Sequence, residues 1–273
     1  MAPASVDLER VTGLIEETAA LEILPRFRKL AAGDIREKEP GDLVTVADEA
    51  AEARLTPLLT ALLPGSLVLG EEAAAADPIL LNRLLGDQPV WVIDPVDGTG
   101  NFAAGRPAFA VMVALIRKAE ILAGWIHDPI GGRTAVAAAG EGAWAGGARL
   151  KIANAPSDPR DMVGTLLAGY FGSRELARRV EANRPRVRTV RSLRCAGLEY
   201  LRLATGETQF SLFTKLMPWD HAPGVLIHRE AGGHCRYLEG GAYEPAAVKR
   251  SGLLLAPTAA SWEALHGALL AEA

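Results

Sequence analysis

The chain has 273 residues, 29 basic against 33 acidic for a net charge of −4, with 49% hydrophobic and 23% charged residues. At about 150 residues per domain that is one large domain or two compact lobes, and collagen, coiled coil and intrinsic disorder are excluded. The acidic balance argues against a nucleic-acid polymer or a membrane surface as partner, while a phosphorylated small molecule still fits wherever metal ions make a site locally positive.

The N-terminal segment reads as a helix: Val11, Leu14, Ile15, Thr18 and Leu21 recur at helical spacing, and Pro25 ends or kinks it. A polar stretch, Gly33–Asp42, leads to a second helix that opens with the capping pattern Thr45-x-x-Asp48 and runs toward Leu63-Pro64-Gly65, with Pro57 predicting a kink or early break. Short apolar runs at Ser66–Leu69, Val90–Ile93, Phe109–Ile116, Ile121–Ile126 and Thr134–Ala139 predict strands. Several of their connections are too short for a crossover helix, so much of the sheet is expected to be antiparallel. Gly140–Ile152 reads as a glycine-rich hairpin. Beyond it strand and helix alternate: Met162–Tyr170 (strand), Arg174–Ala182 (helix), Val187–Leu193 (extended), Cys195–Thr205 (helix), Thr208–Phe213 (strand), Asp220–Ala231 (helix), His234–Leu238 and Gly252–Leu255 (strands) and Thr258–Leu270 (helix). The rhythm is α/β, and a boundary is expected near residue 155, giving an N-terminal lobe 1–154 and a C-terminal lobe 155–273.

The two cysteines, Cys195 and Cys235, form no CxxC and read as reduced thiols. The N-terminus lacks the basic head and apolar middle of a signal peptide, no apolar run is long enough to span a membrane, and the cytoplasm is the expected compartment.

Four acidic elements carry the chemistry. In Trp91–Phe102 (WVIDPVDGTGNF) a buried-looking strand delivers Asp94, Pro95 fixes the turn, Asp97 follows, and Gly98–Thr99 open a short helix. Carboxylates there suit hard cations, and the free amides just beyond suit an anion. Gly70-Glu71-Glu72 follows another strand, Asp48 sits in its capping pattern, and Asp220 follows Pro218-Trp219 at a helix start. Each has a plain alternative as turn, solvated loop or helix cap.

Together WVIDPVDGTGNF, the GEE, the DLVTVAD stretch (Asp42–Asp48) and WDHAPGVLIHREAGG (Trp219–Gly233) resemble the inositol monophosphatase superfamily over nearly the whole chain. The resemblance implies the layered αβαβα sandwich of the inositol monophosphatase and fructose-1,6-bisphosphatase type, and a homodimer. It implies two or three Mg²⁺ ions, with Mn²⁺ a substitute, held by Glu71, Asp94, the Val96 carbonyl, Asp97 and Asp220. Asp48 and Thr99 would orient and help deprotonate the attacking water, Glu71 would share in catalysis, and the Gly98 and Thr99 amides would hold the phosphate. The implied reaction is Mg²⁺-dependent hydrolysis of a small phosphate monoester, with inhibition by Li⁺. Lys38 lies where family members often carry a lysine near the site. The five histidines show no ligand spacing and read as structural or exposed.

Rival readings are weaker. An aspartyl-phosphate phosphatase needs D-x-D where this chain has D-P-V-D, and a calcium loop needs alternating Asp and Asn ligands. A regulatory member without activity would be expected to lose some of these acidic residues. Departures from the family pattern bear on the substrate. Pro223 stands where Gly, Ser or Ala is usual, and Arg194-Cys195-Ala196-Gly197 replaces a Gly-Ser/Thr-Ala-Ala type run. Phe213 stands where inositol-phosphate enzymes often carry a glutamate. Phe213 cannot accept a hydroxyl hydrogen bond, and Arg194 offers a fork for a carboxylate or second phosphate. Histidinol phosphate, a sugar bisphosphate or a phosphoadenosine nucleotide therefore remain alternatives to inositol phosphate.

Overall fold

The computed structural model describes residues 6–152, 156–166 and 173–272. The lobe boundary expected near residue 155 and the end of the strand expected over 162–170 lie outside them. Helix α1 (Leu8–Thr18) carries Val11, Leu14 and Ile15 on its buried face and continues into a π-helical turn, Ala19–Ile23, that ends before Pro25. Helix α2 (Val46–Leu62) passes through Pro57 unbroken, and Thr45 and Asp48 close the expected capping box.

The polar stretch before α2, read as a connection, is a hairpin: β1 (Ile35–Glu39) pairs antiparallel with β2 (Asp42–Thr45) around Pro40-Gly41. Its strands have almost no apolar alternation, so periodicity could not reveal them; ion pairs from Arg36 to Glu49 and from Lys38 to Glu71 and Glu72 tie it down.

The main sheet has seven strands in the order β3 (Leu67–Gly70), β4 (Val90–Asp97), β5 (Ala110–Arg117), β6 (Glu120–Asp128), β7 (Arg133–Ala138), β8 (Gly142–Ala145), β9 (Ala148–Arg149). Only β3 and β4 run parallel; every later pair is antiparallel, as the short connections require. Short helices follow β3 and β4: α3 (Glu71–Ala76) and α4 (Thr99–Ala103). Beyond them a second sheet of five strands takes the order β11 (Arg188–Thr189), β10 (Val163–Leu166), β12 (Phe210–Phe213), β14 (Leu253–Ala256), β13 (His234–Tyr237). Four helices accompany it: α5 (Arg174–Asn183), α6 (Ala196–Ala204), α7 (Pro218–Glu230) and α8 (Ala259–Leu269).

Strand alternation assembles the layers. Trp91, Ile93, Val111 and Val113 face α1 and α2, whereas Val90, Val92, Met112 and Ala114 face α6 and α7. On the second sheet Phe213, Leu253 and Leu255 join that same central core, while Phe210, Leu212 and Leu254 turn to Val180 of α5 and to Trp262 and Leu265 of α8. The result is helix, sheet, helix, sheet, helix: the αβαβα sandwich. No helix among the described residues is long and apolar enough to cross a membrane.

Helices α6 and α7 form the shared central layer, and α7 lies very close to the main sheet. A Cβ on Gly124 of β6 would stand 2.8 Å from the Cα of Pro223. Backbone cannot yield as a side-chain tip would, so Gly124→Ala is expected to destabilise by about 2 kcal/mol, the ordinary cost of overpacking. Thermal unfolding would show it as a melting point several degrees lower.

Candidate active site

A break in strand alternation creates the acidic cluster. With a period of two, Asp94 and Asp97 would lie on opposite faces of β4. Between them the register against β5 slips, Asp94 opposing Met112 and Asp97 opposing Ala110. This is a bulge at Pro95-Val96, where proline has no N–H to give the ladder. Val96 consequently packs with the α1–α2 core rather than following Val90 and Val92, and both carboxylates emerge together. The Val96 N–H donates to Asp94 Oδ1 at 3.1 Å, and Asp97 accepts from the Ala196 and Gly197 amides at 3.1 and 2.6 Å, at the start of α6. Gly98 then turns the chain at φ 87° into α4, a conformation that favours glycine.

The first turn of α7 brings Asp220 to the same point, with Pro218 at its N-terminal position. Asp94, Asp97 and Asp220 offer oxygens all within 4.8 Å of one another. Asp94 is 1% exposed, and no basic side chain among the described residues forms an ion pair with any of the three. Burial, reinforced by the negative charges of Glu71 and of one another, holds the Asp94 and Asp220 carboxyls well above the usual carboxylate range. Burial also raises Asp97, against the donors from Cys195 and the α6 amides. Three crowded carboxylates without an ion-pair partner, offering only oxygen donors, fit a hard divalent cation, which would restore their ionisation.

Glu71 begins α3 directly after β3, close enough to raise all three carboxyls. Its position depends on Glu52 of α2, which the sequence did not single out. The Glu52 carboxylate accepts from the Glu72 N–H at 3.2 Å, capping α3, and a Cβ on Gly70 would lie 2.1 Å from that carboxylate. A side chain at Gly70 would displace the Glu52 carboxylate from this cap.

Asp48 is completely buried, and its cap and site readings hold together. Its Oδ2 accepts from the Thr45 N–H at 3.0 Å and from the Thr45 hydroxyl. Its Oδ1 faces Thr99 Oγ1 at 3.1 Å, and the same hydroxyl lies 2.9 Å from the Val96 carbonyl. Burial pushes the Asp48 carboxyl up to about 6. Glu71, Asp94, Asp97, Gly98, Thr99 and Asp220 line a cleft of about 700 Å³, which the buried Asp48 reaches through the Thr99 hydroxyl.

The sequence model of the inositol monophosphatase family matches residues 7–273. The chain belongs to that family. Among proteins similar to it, Phosphatase IMPL1, chloroplastic, of Arabidopsis thaliana is 30% identical over 256 residues, which are 86% of this chain and 66% of that protein. Inositol-1-monophosphatase of Mesorhizobium japonicum is 35% identical over 209 residues, 75% of each chain. The crystal structure of extragenic suppressor protein suhB from Bartonella henselae superposes with a TM-score of 0.80 at 26% identity, covering 96% of this chain and 99% of that one.

Within this family member the expected pocket residues take different places. Lys38 on β1 bonds Glu71 Oε1 at 2.9 Å and Glu72 Oε1 at 3.0 Å. Burial opposes its charge, yet the two carboxylates outweigh burial and hold the ammonium above its ordinary value. Cys195 turns its thiol to Asp97 Oδ2 at 3.0 Å, beneath the cluster, and both cysteines are buried and free. Ala196 and Arg194 line a second cavity of about 370 Å³ beside the cleft. Phe213 forms part of its wall but is 2% exposed, stacked on Tyr200 at 5.1 Å between ring centroids and 4.9 Å from His221. It is a core residue that shows an apolar edge to the cavity. None of the five histidines joins the acidic cluster; His127, His221, His228 and His266 hydrogen-bond within the fold.

Lys215 was not singled out from sequence, although it lies between β12 and α7 and lines both cavities. The only sequence signal for it is its place five residues before Asp220, between an expected strand and an expected helix start.

Proposed function

We propose that this protein is a Mg²⁺-dependent phosphatase that hydrolyses a small phosphorylated metabolite. The observation that carries the proposal is the convergence of Asp94, Asp97 and Asp220 in one cleft with Thr99, whose hydroxyl reaches the buried Asp48. Glu71, Asp94, Asp97, Asp220 and the Val96 carbonyl would hold the ions, and Gly98 and Thr99 would present amides to the phosphate. Bound Mg²⁺ supplies Lewis-acid polarisation of the phosphate and lowers the pKa of water.

The chain's own groups do the rest. Thr99 has one hydroxyl proton and two acceptors, Asp48 Oδ1 and the Val96 carbonyl, so its lone pairs remain for a proton arriving from water. That proton is relayed to Asp48 Oδ1, whose other oxygen is fixed by Thr45. In the metal-free protein burial holds that carboxyl near 6, above an exposed aspartate, which favours its taking up a proton. Asp97, gripped by the α6 amides, locks the C-terminal half of the site to β4.

The test is phosphate release from a broad panel of monoesters. Activity with Mg²⁺ or Mn²⁺, loss in excess chelator and inhibition by Ca²⁺ are expected, since Ca²⁺ accepts looser geometry. Full activity in chelator would sink the mechanism, and silence across the panel would favour a regulatory member of the family. Inositol 1-phosphate is expected to rank low, because the Phe213 edge offers its hydroxyls no acceptor.

A further inference from the structure

The large cleft and the smaller cavity share Arg194 and Lys215 as lining residues. Arg194 stands at φ 56°, a left-handed conformation that costs a residue with a side chain about 1–2 kcal/mol and that glycine adopts freely. Its backbone is pinned there. Asn101 Nδ2 donates to the carbonyls of Leu193 and Arg194 at 2.8 and 3.2 Å, buried Glu199 accepts from the Leu193 N–H at 2.7 Å, and Ser192 Oγ accepts from the Arg194 N–H at 3.0 Å. The strained turn carries an exposed arginine to the junction of the two cavities, and its guanidinium has no hydrogen-bond or ion-pair partner among the described residues.

Lys215 is placed with similar care. Buried His221 donates from Nε2 to the Lys215 carbonyl at 2.7 Å, which leaves Nδ1 to accept from the Tyr200 hydroxyl at 3.0 Å. Its ammonium lies 3.3 Å from Asp42, which also serves Lys38 at 3.6 Å. Asp42 is thus shared between the two ammonium groups, with Lys38 also satisfied by Glu71 and Glu72. Arg106, held by Asn101 Oδ1 at 2.8 Å, adds a third cation to the smaller cavity, while Phe213, Cys195 and Ala196 wall it. The smaller cavity thus combines three cations with an apolar wall, and the carboxylates that also line it, Asp97 and Asp220, are those of the acidic cluster it shares with the large cleft.

Resting on the reading of the site as a phosphate monoesterase, we propose that Arg194 and Lys215 hold a second anionic group on the leaving alcohol. The substrate class is then a small monoester whose alcohol carries its own carboxylate or second phosphate. A planar guanidinium pairs with either anion in bidentate fashion, and the ammonium adds a point charge.

Matched pairs test this. 2-Phosphoglycerate differs from glycerol 2-phosphate only by a carboxylate in place of a hydroxymethyl group; fructose 1,6-bisphosphate differs from fructose 1-phosphate only by a second phosphate, so the two pairs tell the anions apart. The expected result is a kcat/KM at least tenfold higher for the anionic member of one pair. Arg194→Gly, which suits the backbone, should cut that ratio below threefold, Lys215→Met should reduce it, and Arg194→Lys should retain part of it. Equal kcat/KM within both pairs, or a preference that survives Arg194→Gly, would overturn the proposal. Calorimetric titration of the first pair into Ca²⁺-loaded protein, with fructose 1,6-bisphosphate and fructose 1-phosphate beside it, reads the preference without turnover; equal affinities there overturn it even if hydrolysis is silent. Absence of Mg²⁺-dependent release from these esters and from p-nitrophenyl phosphate, with the binding preference intact, would instead remove the monoesterase reading.

Discussion

Asp94→Asn is expected to lower kcat about a thousandfold, about 4 kcal/mol of transition-state stabilisation, while leaving the fold in place. The side chain is isosteric, and the Val96 N–H that donates to Asp94 Oδ1 still finds an amide oxygen. What disappears is a negative charge, 1% exposed, at the meeting point of Glu71, Asp97 and Asp220. The loss therefore works in opposite directions on two measurements. Without metal those charges repel one another, so the variant should melt at a higher temperature than the parent in chelator at pH 8. With Mg²⁺ the order should reverse, because the parent gains more from the ion than the variant does. Steady-state phosphate release together with two melting curves checks all three expectations. Retention of more than a tenth of the activity would show that Asp94 does not hold the catalytic ion.

The metal-free protein is expected to grow less stable as pH rises from 4 to 7, the reverse of ordinary acid denaturation. Burial holds the Asp48 carboxyl at about 6, above the value near 4 of an unfolded chain. Between those values the unfolded chain has released a proton that the folded one still keeps, so deprotonation favours unfolding. The stabilisation is fully present below pH 4 and is lost as pH passes through 6, amounting to roughly 3 kcal/mol for this group. Glu72, pushed to about 7 by burial and by Glu71, carries the trend to neutrality. Ions bind the ionised carboxylates, so Mg²⁺ affinity should fall with pH over the range in which the metal-free protein gains stability, and binding should release protons. Melting curves from pH 5 to 8 with and without Mg²⁺ test the stability, and calorimetry in two buffers of different ionisation heat counts the protons. A metal-free melting point that climbs steadily from pH 5 to 8 would contradict this account of the Asp48 environment.

Most elements and all the acidic candidates were legible in the sequence because each announces itself within a few residues. The apolar runs of β4, β5 and β6 alternate into two different cores, Thr45 and Asp48 form a capping box at fixed spacing, and the hairpin of β8 and β9 turns at Gly146-Gly147, both at positive φ. Asp97 and Asp220 stand at ends of strongly patterned segments, where chain direction must change, and Asp94 follows the apolar run that opens β4. Tertiary structure decided what local pattern cannot encode. The bulge at Pro95-Val96 sets Asp97 beside Asp94 instead of across the sheet, because only pairing with β5 fixes where the register slips. The β1–β2 hairpin holds through ion pairs to residues more than ten positions away, so its own residues show no periodic signature. Glu52 caps a helix that begins 19 residues later, and Lys215 and Arg194 come together only when the second sheet stacks on α6 and α7. Side-chain periodicity and capping act over one turn or one strand, whereas charge pairing, close backbone approach and cavity lining depend on distances that exist only once the layers have closed.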